Sequence, residues 1–429
     1  MTQGLGQGRP GPATSAPVLP VALRSLRSAG YVDLLAAQAL PLAVGFGITL
    51  ASAAVLGPGA RGVLTVQMTA ATVAGALAFG SLHVPVVAGL RVGDRRPLGH
   101  GIRLVGGIWA GLTLVGVLLV VTGGGHGASG ALGPRPLGWG LVGGGLVLVQ
   151  LFGVRVLQGL GRHAGYQRAV LAQVAVYATA AVAALLVAPS PHLVFAAWCT
   201  SVAVGSAVAA RLLRAVLPPR VPGALRATSW RVFLGSALAN NVGSIGQMVV
   251  LRGDVLVVGL VLGAADAGVY GLALSLTELT LVLPEVIALA VFGNRARMDR
   301  AAWLAQVRRA VRWDLVLAVL AAVVVMGVAV VLSRGPLSAY GGLVPLVAVV
   351  LPGAVLAGYT RIALAALQAQ GDGRSVWHFG VLSLVLALGY LPGAWFGGML
   401  GTALVSSAAY AVGAAHLHRA LRRTVAATC

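Results

Sequence analysis

Arg252, Asp254, Glu278 and Glu285 interrupt stretches otherwise built of Val, Leu, Ala and Gly, and Arg361 interrupts a third such stretch. A charge at the centre of a lipid-embedded helix costs about 2.5–3.5 kcal/mol on insertion scales, so these side chains should face a bundle interior or an aqueous cavity. Arg252 lies ten residues before the end of its apolar run at 262, and Glu278 ten residues after the next run begins at 268. At about 1.5 Å per residue, both sit roughly 15 Å below one surface on sequential antiparallel helices, where they can pair. On the first of these helices Asn240, Ser244, Gln247 and Asp254 fall within about 80° of one another, and Asn241 shares a neighbouring stripe with Arg252. Glu278 and Glu285 share a face of the second helix, which Pro284 is free to kink. The cluster reads either as a buried salt-bridge staple or, the favoured reading, as the lining of a cavity for a polar or charged cargo. Arg361 and Arg155 fit either cavity lining or snorkelling to an interface.

The elements that hold these residues are membrane spans. The chain has 429 residues, 58% of them hydrophobic and 9% charged, with mean hydropathy +0.93, which excludes a soluble domain. Apolar runs of about 20 residues or more are expected at 32–56, 62–90, 101–122, 137–160, 169–188 and 193–217, then at 232–262, 268–291, 313–333, 342–367, 376–392 and 398–418. The arginines gather in every second gap, leaving only Arg61, Arg135 and Arg334 in the others. By the positive-inside rule, twelve helices with both ends in the cytoplasm satisfy that split. A formal charge of +21 on dispersed loop arginines suits anionic lipid headgroups and not nucleic acid. The lack of lysine and the wealth of Ala, Gly and Val suggest a GC-rich bacterial genome, hence a bacterial cytoplasmic membrane.

The sequence also repeats. Leu56-Gly57-Pro58-Gly59-Ala60-Arg61-Gly62-Val63 is echoed by Leu262-Gly263-Ala264-Ala265-Asp266-Ala267-Gly268-Val269, each in the outer turn after a half's first helix. Val156-Leu157-Gln158-Gly159-Leu160-Gly161-Arg162 is echoed around Gln368, Gly371 and Arg374, on the inner turn after a half's fourth helix. Two echoes at matching positions imply parallel six-helix halves with a substrate site between them. The expected organisation is a cytoplasmic tail at 1–30, bundles at 31–217 and 232–418, a proline-broken linker at 218–231 and a short tail at 419–429. Cys199 and Cys429 make neither a disulfide framework nor a metal site, His83, His163 and His378 have no metal-ligand spacing, and Gly143 to Gly145 lack a phosphate-loop context. No cofactor and no ATP-binding apparatus is expected, so the chain reads as a transporter driven by a gradient and not as an enzyme. A membrane glycosyltransferase or glycan polymerase, the main reading of another class, would need catalytic carboxylates in sizeable outer loops, and these loops are short.

The run Arg252-Gly253-Asp254-Val255-Leu256-Val257-Val258-Gly259, then Leu262-Gly263, Gly268-Val269-Tyr270, Glu278 and Pro284, resembles the Wzx-type polysaccharide-biosynthesis flippases of the multidrug/oligosaccharidyl-lipid/polysaccharide (MOP) exporter superfamily. The motif match covers about 40 residues, and the topology match nearly the whole chain. The resemblance implies an all-α, MATE-like fold of two six-helix bundles around a central cavity. It further implies alternating access that carries an undecaprenyl-pyrophosphate-linked glycan across the membrane, with polysaccharide assembly proteins as further partners. Arg252 would meet a pyrophosphate or acidic sugar, while Asp254 and Glu278 would hold Arg252 or carry a coupling proton or sodium ion. Asn240, Asn241, Gln247, Glu285 and Arg361 complete the expected cavity. The first half offers Phe46 and Ile48 where the second has Arg252 and Asp254, so charge is expected mainly on one side, with an acidic balance. Multidrug or organic-cation antiport on the same fold is the alternative that acidity favours.

Overall fold

The computed structural model describes residues 31–79, 81–123, 133–217, 229–239, 241–295 and 298–426. The expected tail at 1–30, the last three residues of the one expected at 419–429, most of the linker and Asn240 lie outside them, while 419–426 continue the last helix. The described chain is helical almost throughout: α1 Tyr31–Phe79, α2 His83–Arg91, α3 Arg96–Thr122, α4 Pro134–Gly159, α5 His163–Val187, α6 Pro191–Val216 and α7 Trp230–Ala239. There follow α8 Asn241–Val261, α9 Ala264–Thr277, a 3₁₀ turn Glu278–Leu281, α10 Val282–Asn294, α11 Arg300–Arg334, α12 Leu343–Ala369, α13 Gly373–Ala387 and α14 Tyr390–Ala426.

Ten of these stretches are long and apolar enough to cross a membrane, against the twelve expected. Two facts account for the difference. Leu40–Phe79 is one stretch of 40 residues, about 60 Å if straight and twice a bilayer core. It is not straight, because Arg61 Nη2 donates to Thr49 Oγ1 at 3.5 Å across 12 residues, roughly 18 Å apart along a continuous helix. The chain doubles back at Gly57, where φ 71° and ψ 173° are open to glycine and costly for any residue with a Cβ. The second fact is the 15-residue length of α13. Within α14 the chain turns again at Gly398, φ 59°, which brings Gly389 within 3.0 Å of Val405, measured from the position a Cβ would take.

The sequence echoes coincide with matching backbone. Gly263 (φ 104°, ψ −176°) has the conformation of Gly57, and Gly161 (φ 72°) pairs with Gly371 (φ 78°). The first echo also packs on its own copy. A Cβ on Gly62 would strike the Ala264 carbonyl, and one on Gly268 would strike the Pro58 carbonyl. Each residue of one turn meets the counterpart of the other's partner, the reciprocal contact that a twofold axis generates. Glycine at both positions lets the backbones touch, as small residues do where helices associate in lipid.

One apolar cluster joins Leu82, Val86, Leu98, Leu148, Phe152 and Leu157 with Phe233 of α7. A second gathers Tyr270, Leu276, Leu343, Leu346 and Val350 with Ala53 and Val66 of α1. The outer face of α11 leaves Val316, Val323, Val324 and Val331 exposed, a surface suited to acyl chains. This is a multi-pass membrane protein.

Candidate functional site

Where α1 meets α8 and α9, a cavity of about 330 Å³ opens. Its first-half wall is built from both arms of α1, through Phe46, Thr49, Arg61, Thr65 and Thr69, and from Gln173 and Tyr177 of α5. Its second-half wall carries Arg252 and Val255 of α8, Gly271 and Ser275 of α9, and Glu278. Arg252 Nη2 lies 2.8 Å from Glu278 Oε1 and donates to Glu278 Oε2 at 3.0 Å. The two side chains keep 29% and 27% of their surface exposed, so the pair is reachable from the cavity. It sits at the equal depth that counting residues along two antiparallel helices predicts.

The opposite wall supplies what the sequence reading lacked. Arg61 is 5% exposed, its Nη2 rests on Thr49, and its Nε has no partner among the described residues. It was expected in an outer loop, but α1 resumes immediately after Gly57 and carries it into the bundle. The expectation of charge mainly on the second half's side, with an acidic balance, is therefore corrected. Two guanidiniums, one from each wall, and one carboxylate line the cavity, a net positive balance.

Asp254 is placed differently from expectation. It is 1% exposed and accepts from Tyr270 Oη at 2.9 Å, Ser406 Oγ at 3.1 Å and its neighbour's amide, Val255 N, at 2.8 Å. It looks into a small space of about 20 Å³ beside Thr277, Ser407 and Tyr410, room for one water. Arg252 is not its ion-pair partner among the described residues. Helix geometry explains the split: Arg252 and Val255 turn one face of α8 to the cavity, while Leu251 and Asp254, about 100° away per residue, turn to α9 and α14.

No protein-family model matches the sequence, and no curated protein matches it. Solved structures do. The lipid II flippase MurJ, in an inward closed conformation, superposes with a TM-score of 0.67 at 12% identity, over 91% of this chain and 87% of its own. A MATE in the straight conformation gives 0.63 at 15% identity, over 92% and 95%. An inward-facing multidrug resistance MATE family transporter of the MOP superfamily gives 0.59 at 14%, over 91% and 95%. The fold is that of the MATE transporters and MurJ. Its solved examples here are transporters and flippases, not enzymes.

Within this MATE-like and MurJ-like frame, the remaining expected residues scatter. Glu285 of α10 pairs with Arg361 of α12, a second ion pair inside the second half, so Arg361 does not snorkel alone. Asn241 is buried at the start of α8, and Gln247 is half-buried on it; the side chain of Ser244, like Asn240, lies outside the described residues. Arg155 donates to Gln158 on the protein's exposed surface. Among the described residues no group of His, Cys, Asp and Glu could hold a metal ion. The signal that could have revealed Arg61 was available: it is an arginine inside a repeated turn whose copy has Ala267 at that position.

Proposed function

We propose that this chain flips a lipid-linked oligosaccharide, an undecaprenyl-pyrophosphate glycan, across a bacterial cytoplasmic membrane by alternating access between two six-helix halves, with both chain ends in the cytoplasm. The observation that carries the reading is the interfacial cavity that Arg61 lines from one half and Arg252, paired with Glu278, from the other. Guanidinium groups bind phosphate with paired, charge-assisted hydrogen bonds, and two of them on separate walls can grip a diphosphate from both sides. Thr49, Thr65, Gln173 and Ser275 around them offer the hydroxyl and amide groups that sugar recognition uses. Glu278 holds Arg252 and gives way to an anionic cargo. The likeness of fold to a lipid II flippase supports a lipid-borne cargo. Transport is coupled to a proton or sodium ion.

Organic-cation antiport rests on Glu278 alone, since Asp254 and Glu285 are each engaged elsewhere. A strain lacking the chain separates the two. The flippase reading requires lipid-linked glycan to build up on the inner leaflet with toxin sensitivity unchanged. Altered toxin sensitivity with normal glycan export would overturn it.

A further inference from the structure

Asp314 takes no part in the cavity or in either ion pair. It stands on α11, 2% exposed, on a buried face with Trp303, Val307 and Ala318. Its Oδ1 is enclosed without a partner among the described residues. Its Oδ2 lies against α12 at Gly358, 3.4 Å from the position of a Cβ there, and the ring of Pro284 on α10 comes within 2.7 Å of the same point. One turn further along α12 is Arg361, held by Glu285, the residue after Pro284.

An ionised carboxylate enclosed in this way would be an uncompensated charge within a membrane-embedded core, which proteins relieve by neutralising the group. The charged and titratable groups on the surrounding elements decide what could compensate it. On α12 they are Arg361 and Tyr359, whose hydroxyl is bonded to His418. On α10 and the 3₁₀ turn they are Glu285 and Glu278, the latter bound to Arg252. On α9 they are Asp266, in the first turn, and Tyr270, bound to Asp254. On α11 itself Arg308, Arg309 and Arg312 are exposed on another face, and Arg295 lies over Trp303, roughly 16 Å away along the helix. Arg361 is the cation one turn from the site. A lone carboxyl with no second ligand takes a proton and not a metal ion.

The geometry points to Asp314 as a proton-binding site, whose release of the proton draws Arg361 off Glu285 and thereby moves the Pro284 hinge and the Glu278 turn preceding it. The proton passes to water, a carboxylate–guanidinium pair replaces the neutral acid, and Glu285, whose side chain is 44% exposed, is left to solvent. Because Glu278 holds Arg252, the movement reaches the cargo cavity. The coupling consequence rests on the transport reading above; the proton site itself does not.

Infrared difference spectroscopy of the purified full-length protein tests the site without any cargo. The carbonyl-stretch band of a protonated carboxyl, sensitive to deuteration, should be present at mildly acidic pH and lost at alkaline pH. In an Asp254→Asn background, which removes the other carboxyl buried within a helix, Asp314→Asn should fold and lack the band, Asp266→Asn should keep it, and Arg361→Gln should retain it at the alkaline pH where the parent has lost it. Absence of the band from that parent, its survival in Asp314→Asn, or failure of that variant to fold overturns the site, because a neutral amide should fit where a neutral acid sits. In proteoliposomes a pH gradient should accelerate flipping by the unaltered protein and leave Asp314→Asn unaffected. Flipping indifferent to the gradient overturns the coupling. A protein that has the band yet flips no lipid-linked glycan overturns the transport reading and leaves the proton site standing.

Discussion

Arg252 and Glu278 pair in the cavity, so each substitution has a sign. Arg252→Ala removes a guanidinium that a bound anion would meet after water is displaced, a loss of about 2–5 kcal/mol. The expected outcome is export reduced by roughly thirtyfold or more, with normal amounts of folded protein in the membrane; normal export from a well-expressed variant would refute the residue's role. Glu278→Gln should act the other way on binding. It releases Arg252 from its competitor, so a glycan pyrophosphate should bind about tenfold tighter and leave more slowly, and equilibrium binding with turnover measured side by side would reveal both. Asp254 calls for a different measurement, because its partners are structural. Tyr270→Phe leaves the carboxylate with two donors in place of three, at a cost of about 1–3 kcal/mol. A lowered thermal-unfolding midpoint with cargo affinity unchanged is the expected result, and lost affinity at unchanged stability would return Asp254 to the cargo site.

The echoed turns join sequence to packing at the scale of elements. Gly62 and Gly268 touch the opposite turn's backbone so closely that neither accepts a side chain. Gly62→Val should therefore cost at least the 1–3 kcal/mol typical of overpacking, whereas Gly106→Val, with nothing within 4 Å, should be near neutral; equal melting of the two variants would deny that this contact joins the turns. These turns were legible in the sequence because Leu-Gly and a later Gly-Val recur at one spacing, and the pairing of Arg252 with Glu278 was legible because depth follows from counting residues. Arg61 was not legible. A boundary drawn at residue 62 left it in a loop, and hydropathy averaged over a window cannot show that a helix resumes one residue after a glycine. Asp314 was missed for another reason: it lies two positions from the exposed Arg312, at the edge of its expected span, so it reads as an interface residue until the packing of α12 encloses it. The direction of Asp254 was hidden too, because a polar stripe tells which residues share a helix face and not which neighbour that face meets.

Across the whole molecule, the two glycine turns pack against each other next to helix segments that line the cavity, and the orientation proposed above places those turns at the outward end. On the flippase reading proposed above, delivery to the outer leaflet requires the Gly62–Gly268 contact to part. A covalent bond across that contact tests the requirement directly. Thr65 and Gly271 face each other across the contact, 3.3 Å between the Thr65 Cβ and the position of a Cβ on residue 271. That is slightly below the roughly 3.5–4.5 Å of natural disulfides, a shortfall that a few tenths of an ångström of relaxation removes. In a chain whose Cys199 and Cys429 have been changed to Ser, Thr65→Cys with Gly271→Cys should oxidise to a disulfide. The oxidised protein should bind a glycan pyrophosphate as well as its own reduced form does, because Arg61 and Arg252 are untouched, but should not flip it, and reduction should restore flipping. A locked protein that flips at the rate of its reduced form would mean that the turns never separate, and the cargo would have to cross by a route outside the two halves.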